Sequence, residues 1–435
     1  MIKRTIFASI MLMMGLGIQA QMSIADELQA DVKRAAGMHY ALTISEPPED
    51  TPPPGGKRPF YINHYGCPSA YYLERPDYYD DPYFTLSRAD SLGKLTELGH
   101  DVLKRVAELR RDSHNKTGEL TEEGKQQARD LAKLLAKRLP EVFSDDCVLD
   151  GRSIVQNHSI LTLGETALQL SMAHQPMRLS INSSHSFQAW LNPQDKVLEK
   201  LREDSLTMAR YEEFTTRWAV DYSRLMTILF NDPDYVKTID AKALNTQLFD
   251  LACSPQYTEI PDKTSLYNIF TPDEIHRHWL RRNAWAYIRY GGCTLNGGYQ
   301  HFLQRKPLWN LIHIGDSILT LDYPVVHLRY TQEHVVMSLV CLLELDGFGL
   351  QTDCLDSLET KGWADYRIAP LGGSVILIYY RTDKDDTDPL IRVLLNGHEA
   401  RLPITTDCAP YYHLEDVKRY YLRKLYVYAR ERDDE

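Results

Sequence analysis

Three short stretches carry side chains that could act as nucleophile, anion ligand or proton donor. Residues 60–73, FYINHYGCPSAYYL, read as a strand that ends in His64-Tyr65-Gly66 and passes directly into Cys67-Pro68-Ser69-Ala70-Tyr71. An imidazole or a thiolate at such a strand end is a nucleophile if cationic groups hold the phosphate beside it. Arg152-Ser153-Ile154 leads, four residues on, to His158, which can donate one hydrogen bond to an anion but cannot form the two-pronged fork of a guanidinium. Leu328-Arg329-Tyr330-Thr331-Gln332-Glu333 closes a second strand, with Glu333 at the start of a predicted helix, where a carboxylic acid can protonate a leaving oxygen. A helix N-terminus also favours anions whatever its side chains.

Several residues imitate that chemistry. A thiolate at Cys67 needs an arginine close downstream and a cradle of backbone amides, yet Pro68-Ser69-Ala70-Tyr71-Tyr72 is followed only by Arg75, so the thiol reads as buried or disulfide-bonded. Gly99-His100-Asp101 falls within a predicted amphipathic helix, and Gly397-His398-Glu399 follows a predicted strand in a turn; both read as surface pairs. Tyr71, Tyr72, Tyr78, Tyr79, Tyr83 and Phe84 are aromatic enough to stack on sugar rings, but packing against a neighbouring helix and loop accounts for them more simply.

The elements that must position these groups alternate. Leu95, Leu98, Val102, Val106 and Leu109 recur at helical spacing and predict a helix over 92–110; Thr121 caps a second over 122–138, which Pro140 ends. A strand over 147–155 and a helix over 159–172 follow. From 195 to 305 the sequence is charged, aromatic and mostly helical, which fits an insertion that caps the core. Then come a helix over 308–318, a strand over 323–330, an apolar helix over 333–345, strands over 374–380 and 390–395, and a tyrosine-rich helix from Leu414. Alternating strands and helices predict an α/β fold: a mostly parallel sheet with helices on both faces plus an inserted α-helical cap.

The N-terminus has the layout of a secretory signal peptide over 1–20: Lys3-Arg4, an apolar stretch from Ile6 to Ile18, then Gln19-Ala20. Cleavage is expected near Ala20, and the apolar stretch is too short to span a bilayer. No cysteine follows to take a lipid. The expected location is exported, periplasmic or extracellular. Residues 21–59 form an extension whose segment 46–59, EPPEDTPPPGGKRP, reads as an extended tether. A formal net charge of −11 over 435 residues argues against a nucleic-acid partner. Seven cysteines in an oxidising compartment allow up to three disulfides, though the odd, scattered set is no disulfide framework. No Cys/His cluster shows zinc-ligand spacing, and neither metal nor cofactor is expected.

Taken in order, the three stretches resemble the secreted histidine acid phosphatases, in particular the branch that includes multiple inositol polyphosphate phosphatases. In that family a strand ending His-Tyr-Gly runs into Arg-His-Gly-Ser-Arg, whose histidine attacks phosphorus and whose arginines hold its oxygens. The shared His64-Tyr65-Gly66 sets Cys67, Pro68, Ser69, Ala70 and Tyr71 on those five positions. A phosphate-clamping arginine four residues after a Ser-Thr falls on His158, and in Leu-Arg-Phe-Gly-His-Asp the second histidine falls on Gln332 and the aspartate on Glu333. Outside the site, Leu120-Thr121-x-x-Gly124, Leu394-Leu395-Asn396, Leu402-Pro403-Ile404 and Pro410-Tyr411-Tyr412 resemble the same branch.

The resemblance covers residues 60–435 as one phosphatase-like domain. It implies an exported pseudophosphatase whose reactive residues are replaced, with His158 and Gln332 left to bind a phosphorylated or anionic small molecule. Two alternatives stay open. One is an active acid phosphatase or phytase-like phosphomonoesterase acting through His64 and Glu333; the other is a carbohydrate-binding or adhesive surface protein.

Overall fold

Strands buried on both sides lose the polar–apolar alternation of half-exposed ones, and the central strands of this protein are of that kind. A computed structural model of the chain describes residues 22–45, 50–173, 177–254 and 265–433; the signal-peptide segment lies outside them. The strands are β1 (Arg58–Gly66), β2 (Val148–Ser153), β3 (Arg178–Ser183), β4 (Gly292–Cys293), β5 (Val325–Tyr330), β6 (Gln351–Thr352), β7 (Ser374–Arg381), β8 (Leu390–Leu395), β9 (His398–Glu399) and β10 (Tyr412–His413). The main sheet runs β10-β8-β7-β1-β5-β2-β3, with β9 beside β8, while β4 and β6 pair separately. Strands β1, β5, β2 and β3 are mutually parallel, and the β7 side is antiparallel. The result is a mixed α/β fold with a mostly parallel centre.

Successive residues of each central strand enter different cores. Tyr61, Tyr65, Leu377 and Tyr379 pack under Leu308 and Leu311 of the helix Arg305–Ile318 and under Val417 and Tyr421 of the C-terminal helix Leu414–Asp433. Ile62, Val326, Leu328, Ile376 and Ile378 face Leu131 and Leu135 of one helix and Leu163 and Leu170 of another. In chain order the helices that matter for the site begin with α1 (Ile24–Ala30), α2 (Asp77–Ser91), α3 (Glu97–Asp112), α4 (Glu122–Arg138) and α5 (Asn157–Ala173). The cap is helical, and its longest element, Pro272–Tyr290, starts with a capping box in which Thr271 and Glu274 satisfy each other's backbone N–H groups.

Three elements differ from expectation. Helix α2 is absent from the sequence reading, and the predicted helix over 92–110 begins only at Glu97, after a separate N-cap at Thr96. Strand β3 was also not expected. Residues 50–57 lie against the domain: Asp50 pairs with Arg138 and Arg392, and Lys57 with Asp386 at 2.8 Å. None of the seven cysteines is disulfide-bonded. His398 and Glu399 sit on the exposed β9 after an Asn396-Gly397 turn, both residues of which have positive φ, as a tight hairpin requires.

Gly124 stands where α4 meets the segment after β1. Thr121 caps the helix by accepting from the Gly124 N–H at 3.0 Å and itself donates its N–H to the Ala70 carbonyl at 3.1 Å. A Cβ at Gly124 would run into that carbonyl. Gly124→Ala is expected to cost about 1–3 kcal/mol in denaturant unfolding. Gly164→Ala, in α5 with open space around it, should instead stabilise by up to about 1 kcal/mol.

Candidate functional site

Parallel pairing puts the three chemistry-bearing segments at one edge of the sheet. Gly66 and Ser153 both lie opposite Tyr330, so the turns that leave β1, β2 and β5 emerge side by side at the strands' carboxyl ends, where ligands of open α/β sheets bind. The seven sequence-predicted positions all lie in or beside these turns.

The turn after β1 is tied down from every side. The Cys67 N–H donates to the Gly373 carbonyl (2.8 Å), the Ser69 N–H to Thr162 Oγ1 (3.0 Å), and the Ala70 N–H to Gln127 Oε1 (2.8 Å). Pro68 has no N–H, and its carbonyl accepts from Gly372 at 2.8 Å. From Cys67 to Ala70 every backbone donor is therefore spent inside the protein, and none is left to cradle an anion. The Cys67 thiol is fully buried, and burial, reinforced by the Glu333 carboxylate, pushes its pKa far above the ordinary thiol value. It is not a thiolate.

Tyr71 joins the other two turns. Its ring stacks on His158 with centroids 4.2 Å apart and planes at 16°, and its hydroxyl donates to Glu333 Oε1 at 3.2 Å. His158 Nε2 lies 3.0 Å from Gln156 Oε1, and Nδ1 lies 3.6 Å from the Glu74 carboxylate. Burial, then the nearby His39, lowers the His158 pKa to about 4, so the ring is neutral above acidic pH. Gln332 accepts from Asn192 Nδ2 at 3.2 Å. Glu333 is 7% exposed, and burial raises its pKa to about 7 against the opposing hydrogen bonds of its own backbone N–H and Tyr71. A proton donor is thus present, without a nucleophile beside it.

His64 is on the opposite side of its strand. It shares the face of Ile62 that packs on α4 and α5, its ring lies 5.0 Å from that of Tyr330, and among the described residues no other side chain hydrogen-bonds either ring nitrogen. Burial lowers its pKa to about 3. His100 contacts Asp90 on the surface, and neither it nor His398 approaches the site.

Beside the turns lies a cavity of about 400 Å³ lined by His39, Tyr71, Glu74, Arg282, Arg289 and Tyr290, among others. Arg282 is neutralised by Asp250. Arg289 and Arg202 are different: neither forms an ion pair with a carboxylate among the described residues, and Arg289 Nε and Arg202 Nη2 are buried without partners. Arg202 spends its Nε on Gln300 Oε1 at 2.7 Å. The Arg202 guanidinium lies 5.3 Å and the Arg289 guanidinium 5.9 Å from the centre of the Tyr290 ring, on which His334 also stacks at 5.0 Å. Burial first, and then these two arginines, hold the His334 pKa down to about 4 at the start of the helix Glu333–Leu343. Sequence reasoning missed both arginines, which come from the cap and carry no motif.

The arrangement as a whole, a mostly parallel sheet whose strand ends face a helical cap, is the histidine acid phosphatase fold. The multiple inositol polyphosphate phosphatase of Bifidobacterium longum superposes with a TM-score of 0.70 in its complex with inositol hexasulfate and 0.71 in its complex with phosphate; each is 14% identical and covers 88% of this chain and 97% of its own. The phytase from D. castellii gives a TM-score of 0.63 at 13% identity, covering 91% of this chain and 85% of its own. No family model and no curated protein matches the sequence. No helix among the described residues is long and apolar enough to cross a membrane.

Proposed function

We propose that this protein is an exported, non-hydrolysing relative of the histidine acid phosphatases, and that its cleft binds a phosphorylated or otherwise anionic small molecule. The observation that carries the reading is a contrast across the site: Pro68 and Gln332 stand at the positions the resemblance makes reactive, while Arg289 in the cavity wall and Arg202 beside Tyr290 form no ion pair with a carboxylate among the described residues. A buried guanidinium with unsatisfied N–H groups is costly, and an anion is the partner that removes the cost with strong, charge-assisted hydrogen bonds. That solved proteins of this fold hold inositol hexasulfate and phosphate makes a phosphate-bearing ligand the first to try.

Thermal-shift and calorimetric titration with inositol hexakisphosphate, inorganic phosphate and neutral inositol tests the reading. Saturable stabilisation by the polyanion and none by inositol is expected, with affinity reduced about tenfold or more in Arg289→Ala, since a hydrogen bond to a charged group contributes on the order of 1.5–3 kcal/mol. Absence of saturable binding, or binding indifferent to both Arg289→Ala and Arg202→Met, would overturn it.

A further inference from the structure

The loop before β10 gathers a thiol, an imidazole and a carboxylate. Cys408 Sγ, His413 Nε2 and an Asp407 oxygen all lie within 4.8 Å of one another. Individually, Asp407 Oδ1 is 2.9 Å and Cys408 Sγ 3.9 Å from His413 Nε2. We propose that these three side chains form a zinc-type divalent metal site, with water as the fourth ligand.

The imidazole is already aimed. His413 belongs to β10, where it pairs with Leu390, and the following Leu414 N–H is fixed to the Pro389 carbonyl at 3.0 Å. Its Nδ1 lies 2.8 Å from Asp388 Oδ1. Its Nε2 faces the Asp407 carboxylate at 2.9 Å, so a cation entering between Asp407, Cys408 and His413 takes the place of the proton that Nε2 offers Asp407, while Nδ1 keeps its own on Asp388. A carboxylate on the remote nitrogen of a histidine is the usual outer support of a zinc ligand. The loop is held from within, as the Cys408 N–H donates to Thr406 Oγ1 at 3.3 Å and that hydroxyl donates to the Tyr411 carbonyl at 2.8 Å.

Spacing and charge agree with a metal. Bonds of about 2.0–2.3 Å at tetrahedral angles set ligand atoms about 3.3–3.6 Å apart, and the two measured separations fall on either side of that range, so small side-chain rotations suffice. Two carboxylates, Asp388 and Asp407, face one imidazole, and neither carboxylate forms an ion pair with a Lys or Arg among the described residues; Lys57 pairs with the Asp386 carboxylate and donates to the main-chain carbonyl of Asp388. A divalent cation supplies the missing positive charge. On binding, the Cys408 thiol gives up its proton to solvent and ligates as thiolate. Sulfur and imidazole nitrogen favour zinc over the oxygen-seeking magnesium and calcium.

Cobalt titration of the reduced, metal-free full-length chain is the test. One equivalent of Co²⁺ should produce a thiolate-to-cobalt charge-transfer band together with the intense visible absorption of four-coordinate cobalt, and Zn²⁺ should displace it. Cys408→Ser and His413→Ala should abolish the band, Cys354→Ser, at the exposed cysteine outside the cluster, should leave it, and Asp388→Asn should keep the spectrum while weakening affinity about 10–100-fold. No saturable band, a band that survives Cys408→Ser, or one lost with Cys354→Ser would refute the site.

Discussion

Purified protein incubated with p-nitrophenyl phosphate or inositol hexakisphosphate from acidic to neutral pH is expected to release no phosphate above the uncatalysed rate. Phosphoryl transfer through a covalent intermediate needs a side chain with an available lone pair beside a phosphate whose charge is held by donors. At the end of β1 that position is Pro68, and the backbone donors on either side of it are bonded to Gly373, Thr162 and Gln127. Cys67 is protonated at every pH of interest, because burial raises its pKa far above the ordinary value. His158 lies beneath the Tyr71 ring, and Glu333 is an acid with no partner nucleophile. Loss of a nucleophile costs on the order of a millionfold in turnover, and His64, on the α5 side of the strand, does not replace it. Phosphate release that is abolished by His64→Ala but retained in Pro68→Ala would show that His64 does the work.

The second large effect concerns stability. Glu333 has a folded pKa of about 7 against an ordinary 4.5, so the folded protein binds a proton that the unfolded chain releases between those values. Linkage gives the sign: stability from this group is complete below pH 4.5 and is lost as pH rises through 7. A difference of that size corresponds to roughly 3 kcal/mol when fully expressed. Glu333→Gln keeps the shape and an acceptor for the Tyr71 hydroxyl without the charge. Denaturant unfolding from pH 4 to 8 should show wild-type stability falling over the upper part of the range, and the variant should flatten that fall and be the more stable protein at neutral pH. Asp365, buried with a pKa raised to about 6, contributes a remainder of the same sign. Parallel pH profiles for wild type and variant would refute the assignment.

Much of the scaffold was legible because its elements announce themselves locally. Strand β8 and helix α4 have the ends that apolar runs and the Thr121 cap predict. Helix α2 was hidden by Pro82 in its interior and by a tyrosine-rich sequence, although its buried residues Tyr79, Pro82, Leu86 and Ala89 do recur at helical spacing. Strand β3 was hidden because an edge strand with five of its six residues exposed shows no pattern of burial. The positions around the turns were readable, since each follows a recognisable strand and the parallel register brings them together. What they do to one another was not. The stack of Tyr71 on His158 and the bare charge of Arg202 and Arg289 arise from contacts between segments far apart in the chain, and nothing local encodes them.

The anchoring of the turn after β1 decides how hard a phosphate cradle would be to build there. Pro68 and its neighbours brace β1 against α4, α5 and the strand-leading loop at Gly372-Gly373, so substitutions there act first on whether the domain holds together. A grafted Arg-His-Gly-Ser-Arg would have to free amides that Gln127 and Thr162 have claimed before any of them could face a substrate. Installing such a cradle therefore takes several substitutions at once, because each amide has to be released from a different neighbour.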